Sequence, residues 1–323
     1  MKALLRPRVK TVVLAALVIL LAIVPLLGNM YYTSVLIVIG IHAMVAVGLC
    51  LLIGYTGQVS LGHAAFYGLG AYIAAVLSTT YHINPWLAMV LAVAATAVFA
   101  FAIGFPIFRL RGNYLAMATL GLGIIIWILF REVEGVTGGQ VGFSNIAAPS
   151  IGGFAFTSDF RFYYLVWGFC LAVMVACQNI VNSRIGRAMR AIRDSESASQ
   201  SLGISSVLVK SKILALSAAC AALAGSLYAY YVGFIDPGPF GFLFSVRLVV
   251  MAVVGGLASI WGAIFGAATV RLMTEFLHPF GDIDVVLFGL ILIVVMILSP
   301  QGVTRGLADL WRRVSRRLVR QAR

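Results

Sequence analysis

From Thr11 to Phe108 the sequence contains no Asp, Glu, Lys or Arg. A fold that meets water surrounds its core with charged side chains, so a stretch of this length without any must lie in lipid. The whole chain agrees, being 62% hydrophobic and 10% charged, against about 45–50% and about 25% in soluble domains. A bilayer core about 30 Å thick needs about 20 apolar helical residues. The uncharged block therefore holds four crossings, near 11–27, 31–53, 62–80 and 86–108. They are separated by Pro25 to Asn29, by the Gly54–Gly57 cluster and by Asn84-Pro85, all turn chemistry. Further apolar runs lie at 113–130, 162–182 and 211–233. The region 240–277 is too long for one helix and is cut at Gly255 to Ser259, which predicts two short segments, and a last span at 284–299 ends before Pro300. The expected fold class is all-α, a polytopic integral membrane protein of about ten transmembrane or partly spanning helices in one domain over 1–323.

Charge fixes the expected orientation. With the N-terminus cytoplasmic, ten crossings bring four groups of basic residues to one side: four at the N-terminus, Arg109 and Arg111, six in 184–212, and seven in the tail at 305–323. Glu132, Glu134, Asp159, Asp236, Glu275, Asp282 and Asp284 fall on the other side with the longest external loop, about 131–161. Nine crossings would turn the basic tail outward, against the positive-inside rule. Both termini are thus expected in the cytoplasm. The N-terminus has the layout of a signal peptide, but Leu26 to Met30 is a poor small-residue cleavage site, so an uncleaved first span is expected. The net charge of +13 sits at the ends of apolar runs, which argues against nucleic acid as a partner and for membrane lipid. Cys50, Cys170, Cys177 and Cys220 lie inside apolar runs without metal-ligand or CxxC spacing and read as small core residues.

The sequence has no GxxxxGK[ST] loop and no Gly-Lys pair, so ATP hydrolysis through that motif is excluded. Every acid lies in a loop or near a span end, which disfavours a carrier driven by a proton or sodium relay. His42, His63, His82 and His278 show no HExxH or paired spacing. No catalytic and no metal residue is assigned.

Two polar features stand out. In 183–203, Arg184, Arg187, Arg190 and Arg193 recur every three residues opposite an apolar stripe of Ile185, Met189 and Ile192, which predicts an amphipathic helix. Asp194 is placed to cap a second, short helix with Glu196 at its positive end, and Gly203 to close it in the left-handed conformation. Such a segment lies on anionic lipid or docks a cytoplasmic partner. The second feature is Gly54, Gly57, Gly62, Gly68 and Gly70, which weaken an isolated helix by roughly 1 kcal/mol per interior Gly and imply close helix packing. Among them Gln58, Ser60 and His63 cannot face lipid unpartnered. They line a solute path or brace a bend.

These residues resemble a known family, the permease subunits of branched-chain amino acid ABC importers of the LivM type. The resemblance rests on GYTGQVSLGHAAF at 54–66 with Gly68 and Gly70, LRGNY at 110–114, ATL at 118–120 and TGG at 137–139. It continues through SRIGR at 183–187, RAIR at 190–193, LGI at 202–204, GGL at 255–257 with Gly262, and SPQG at 299–302. The family implies a multi-pass protein of the bacterial inner membrane that forms part of a translocation pathway for branched-chain amino acids or a related small polar solute. Its implied partners are a second homologous permease subunit, two cytoplasmic ATPase subunits and a periplasmic or extracytoplasmic solute-binding protein. ATP would be bound by the partners, with no cofactor in this chain. Relatives in the same family move urea, short amides or aromatic acids, and a stand-alone secondary carrier or a non-transporting scaffold are the readings from other classes. ABC importers carry EAAxxxG on their coupling helix; Ser197, Ala198 and Ser199 stand at the EAA places here, and only Ala198 matches. By this resemblance the candidates for ATPase contact are Arg184, Arg187, Met189, Ile192, Glu196, Ala198 and Gly203, with Met189 and Ile192 expected to supply most of the contact. The candidates for lining the path are Gln58, Ser60 and His63.

Overall fold

A computed structural model describes residues 30–277 apart from 111, 152, 153 and 258, together with 286, 289 and 290. The expected first span at 11–27 and basic tail at 305–323 lie outside the described residues, as does nearly all of the last span at 284–299.

Helix α1 (Met30–Leu49) continues through a π-helical turn (Cys50–Tyr55) to form one crossing. After an extended stretch come α2 (His63–Thr79), α3 (Pro85–Ile107) and α4 (Asn113–Glu132). A four-residue helix α5 (Glu134–Thr137), a 3-10 turn (Gly139–Val141) and a hairpin of two two-residue strands, β1 (Ser150–Ile151) and β2 (Phe154–Ala155), make the longest loop. Then follow α6 (Asp159–Asn182), the short pair α7 (Arg184–Asp194) and α8 (Glu196–Ser201), and the long α9 (Ser206–Val232). A 3-10 turn (Gly238–Phe240) leads to α10 (Phe242–Gly255) and α11 (Ile260–Leu277). Six of these segments are long and apolar enough to cross a membrane. Helices α2 and α10 are shorter, and all eight fall where hydropathy placed a span.

The breaks have local causes. The Asn84 side chain accepts a hydrogen bond from the Trp86 amide at 3.0 Å with Pro85 in the first turn of α3, the arrangement that starts a helix sharply. Gly233 closes α9 at φ +72°. Gly256 at φ +99° ends α10, and Ser259 then accepts from the Gly262 amide at 3.0 Å to open α11. The expected division of 240–277 into two segments is therefore observed.

At the centre stand α1, almost wholly buried, and α9, which packs along α1, α2 and α3. Helices α6 and α11 cover α1 from other sides, and α10 pairs with α11. The helices meet at small residues. A Cβ at Gly225 would lie 1.9 Å from the Tyr67 carbonyl oxygen, and one at Gly70 would lie 2.2 Å from that of Ala222. This approach lets the Ser226 hydroxyl donate to the Gly70 carbonyl at 3.0 Å. Helix α2 runs in the same direction as α9, with His63 against Ser217 and the Tyr230 hydroxyl donating to the Pro85 carbonyl at 2.9 Å beyond the end of α2. Ser217 lies roughly 16 Å along α9 from Ser206 at 1.5 Å per residue. The first turn of α2 is therefore inside the bundle and not at its surface.

These contacts predict opposite effects for two classes of Gly→Ala change. Gly225→Ala or Gly70→Ala forces two backbones apart and should cost about 1–3 kcal/mol. Gly168→Ala and Gly121→Ala, where nothing lies within 4 Å of an added Cβ, should gain up to about 1 kcal/mol from helix propensity. Thermal unfolding of the detergent-purified chain checks this as a lowered Tm for the first pair and an unchanged or raised Tm for the second.

Candidate translocation and coupling site

The unwound stretch between α1 and α2 has its polar groups accounted for one by one. The π-helical turn ends where the Thr56 hydroxyl donates to the Leu52 carbonyl, and the Gly57 and Gln58 amides donate to Ile53 and Leu52 at 3.1 Å each. Gly57, at φ +73°, turns the chain out of the helix. The stretch then presses against α4: a Cβ at Gly62 would stand 2.4 Å from the Thr119 carbonyl oxygen, and the Leu61 amide donates to the Thr119 hydroxyl at 3.1 Å. The Ala64 amide, in the first turn of α2, donates to the Ser245 hydroxyl on α10 at 3.0 Å. Backbone that leaves a helix at membrane depth must find such partners in protein or water.

His63 is at the middle of this junction and fully buried. Its Nδ1 lies 3.0 Å from the Ser60 hydroxyl and its Nε2 2.7 Å from the Ser217 hydroxyl, so each ring nitrogen has a partner in either tautomer. Ser60 is buried as well. The structure thus brings Ser60 and His63 together, adds Ser217 from α9, and seals them from water in this conformation. Gln58 stands apart, half-buried, with its amide nitrogen donating to the Thr56 carbonyl at 3.1 Å. Thr119, Ser217 and Ser245 are not among the site residues expected from the sequence, although Thr119 falls in the ATL motif at 118–120. Each is one small hydroxyl in an apolar helix, and helical spacing alone does not say which of many Ser and Thr residues faces a given neighbour.

The second part of the site is the α7–α8 pair joining α6 to α9. The Ser183 hydroxyl caps α7 by accepting from the Ile185 amide at 3.1 Å. A Cβ at Gly186 would lie 2.0 Å from the Val181 carbonyl oxygen, so the helix folds back tightly on the end of α6. The expected amphipathic helix is present, but its apolar stripe points into the chain. Met189 is 0% and Ile192 3% exposed, whereas Ile185 is 47% exposed. Met189 and Ile192 are therefore corrected from partner contacts to core residues: with three helices packed behind α7, burying them inside this chain leaves them no surface for another. The N-cap of α8 is also corrected. Asp194 is the last helical residue of α7, and the extended Ser195 accepts from the Ala198 amide at 3.3 Å.

The outward face of the pair carries Arg184, Arg187 and Arg190 from α7, and Ala198 and Gly203 from α8 and its end. Gly203 has φ +81°, as its spacing implied. Beside it Leu202 is 80% exposed, an apolar side chain held out at the tip of a helix. A shallow depression of 370 Å³ lined by Gln200 and by 203–207 adjoins it. Glu196 forms an ion pair at 2.8 Å with Lys210, whose side chain is 3% exposed, and so ties α8 to the first turn of α9. On the inner side the Arg193 guanidinium donates to the Gly54 carbonyl, with its side chain lying against Gly57. The short helices are thus fastened directly to the π-helical end of α1. Among the described residues no three of His, Cys, Asp and Glu converge as a metal site.

The family model for the permease component of branched-chain amino acid transport systems matches residues 31–300. The high-affinity branched-chain amino acid transport system permease protein LivM of Salmonella typhimurium is 33% identical over 288 residues, covering 81% of this chain and 67% of the relative. LivM of Escherichia coli is 31% identical over 315 residues, with 90% and 73% covered. LivH of Salmonella typhimurium is 26% identical over 289 residues, with 81% and 90% covered. No solved structure matches the chain. A match over this span, laid on a bundle of membrane-length helices with a capped helical pair between α6 and α9, establishes that the chain is a multi-pass membrane protein belonging to the family of branched-chain amino acid transport permeases.

Proposed function

We propose that this permease works as one of two homologous membrane subunits of an ATP-driven importer in the bacterial inner membrane. Two cytoplasmic ATPase subunits supply the energy and an extracytoplasmic binding protein delivers the amino acid. The reading is carried above all by the α7–α8 pair. It offers an outward surface to a partner while Arg193 holds it to Gly54, at the point where α1 unwinds toward Ser60 and His63. A displacement of the pair by the ATPases would then act on the stretch that closes the path. The basic residues support a cytoplasmic position for the pair. Arg184, Arg187 and Arg190 are exposed there, and the approach of Gly104 to Ser211 brings the end of α3, with Arg109, to the same end of the bundle. Outward apolar side chains on α4, among them Tyr114, Met117 and Ile125, are left for lipid or the second permease.

Docking through the outer surface predicts a division of effects. Ala198→Asp with Leu202→Asp should reduce copurification of the ATPases about tenfold or more, equivalent to about 1.4 kcal/mol, without lowering the Tm of the permease. Met189→Ala should instead destabilise the permease by about 2–5 kcal/mol as a core deletion. ATPase recovery that is normal with both aspartates present would remove the surface from the docking site.

The path through the α1–α2 junction predicts state-dependent access. With Cys50, Cys170, Cys177 and Cys220 replaced, a single cysteine at Gln58 should react with a small water-soluble thiol reagent in every state. Cysteines at Ser60 and His63 should react only when ATP and binding protein drive turnover. Protection at 60 and 63 in all states, with transport retained, would leave them a purely structural role. His63→Ala should also cost about 1–3 kcal/mol by leaving buried hydroxyls unpaired, read as a lowered Tm.

A further inference from the structure

At the end of the bundle away from α7–α8, the connection from α9 to α10 leaves Phe234, Gly238 and Pro239 exposed but buries Ile235, Pro237 and Phe240. After Gly233 it dips inward and seats Phe240, 1% exposed, among rings from three helices. The Phe240 ring centroid lies 5.6 Å from those of Tyr67 and Tyr72 on α2, 6.1 Å from Phe130 on α4 and 6.4 Å from Tyr228 on α9. Gly68 makes the room: a Cβ there would stand 2.5 Å from Phe130 and 3.0 Å from Phe240. Directly beneath, Phe244 lies 5.3 Å from Tyr67 and 5.3 Å from His42 on α1. The box is built by helices, and the ring that fills it comes from a short turn.

The walls carry more polarity than a permanent seal needs. Among the described residues the Tyr67 and Tyr72 hydroxyls and His42 Nδ1 are buried with no hydrogen-bond partner, although phenylalanine at 67 and 72 would pack the same rings without stranding a polar atom. Groups left unpaired in one conformation are explained if a second conformation brings them partners.

We propose that Phe240 is a removable plug. It occupies the box that receives the apolar side chain of the transported solute, a small zwitterion with an aliphatic side chain, whose charged groups and accompanying water then meet the Tyr67 and Tyr72 hydroxyls and His42. The solute class rests on the transport reading given above; the plug rests on the packing alone. Its handles lie on the outside. Phe143 and Ile235 form an antiparallel bridge with N–H···O distances of 2.7 and 3.0 Å, the Ile146 amide donates to the Gly233 carbonyl at 3.2 Å, and Trp127 Nε1 donates to the Pro237 carbonyl at 2.9 Å. The loop around 139–146 therefore grips the turn that carries Phe240. A binding protein that docks on this loop, where Val141 is 85% exposed, would withdraw the plug as it delivers the solute.

The test uses the complete importer in proteoliposomes with the four native cysteines replaced. A cysteine at Tyr67 is probed with a small cationic thiosulfonate reagent, and uptake is followed with labelled leucine. Tyr67→Cys should be protected with Phe240 present and react about tenfold faster or more with Phe240→Ala, the scale of a shift in the open population. Phe143→Cys with Ile235→Cys, at positions paired closely enough for a disulfide, should block leucine uptake on oxidation and restore it on reduction, with the ATPases still copurifying. Equal protection of the Tyr67 cysteine with and without Phe240, or undiminished uptake by the oxidised pair, overturns the plug. If Phe240→Ala does not assemble, the disulfide arm decides. An importer in which Phe240→Ala exposes the Tyr67 cysteine but whose parent takes up no leucine keeps the plug and overturns the solute class.

Discussion

The close approach of α2 to α9 determines most of what the site can be. Gly70 and Gly225 remove the side chains that would hold the two helices apart, and the Ser226 hydroxyl bonds the Gly70 carbonyl across the contact. In lipid, helices gain little from burying apolar surface against one another, so contact at the backbone and hydrogen bonds between helices set the register. That register fixes the depth of α2. Its first turn then places His63 against Ser217, and its next turns place Tyr67 and Tyr72 around Phe240.

A helix that begins inside the bundle creates a second requirement. The six residues before it lie outside any helix, and at that depth each backbone group needs a partner. The π-helical end of α1, Thr119 and Ser245 supply several of them. These bonds come from three different helices, so a relative shift of any of them disturbs the junction. The tie from Arg193 to Gly54 makes α7 one of the elements able to cause such a shift. Coupling between the two ends of the bundle then needs no long chain of contacts, since α2 carries both the junction and two walls of the Phe240 box.

Hydropathy together with Gly and Pro breaks located the eight described membrane segments, because lipid demands apolar runs of about 20 residues for a full crossing whatever the tertiary fold. Turn chemistry located the break at Asn84-Pro85 and the left-handed Gly203, because those depend on bonds a few residues apart. The facing of α7 was not legible. Its periodicity showed an apolar stripe, but a stripe is buried equally well against its own chain or a partner, and Met189 and Ile192 are buried in their own. The N-cap was off by one residue because Asp194 and Ser195 are both good caps, and only the backbone angle at Ser195 distinguishes them.

What the sequence by itself determined is the membrane class, the span positions, the polar segment between α6 and α9, and the family, all consequences of composition, local geometry and shared motifs. What only the tertiary structure decided is which polar residues meet. Ser217, Thr119 and Ser245 each lie on a different helix from His63, at sequence separations that no periodicity links. Phe240, one of twenty phenylalanines in the chain, became distinctive only when three helices closed around it. Apolar helices in a bilayer are nearly interchangeable in pattern, so their partners follow from the close packing of glycines and single hydroxyls that exists only after assembly.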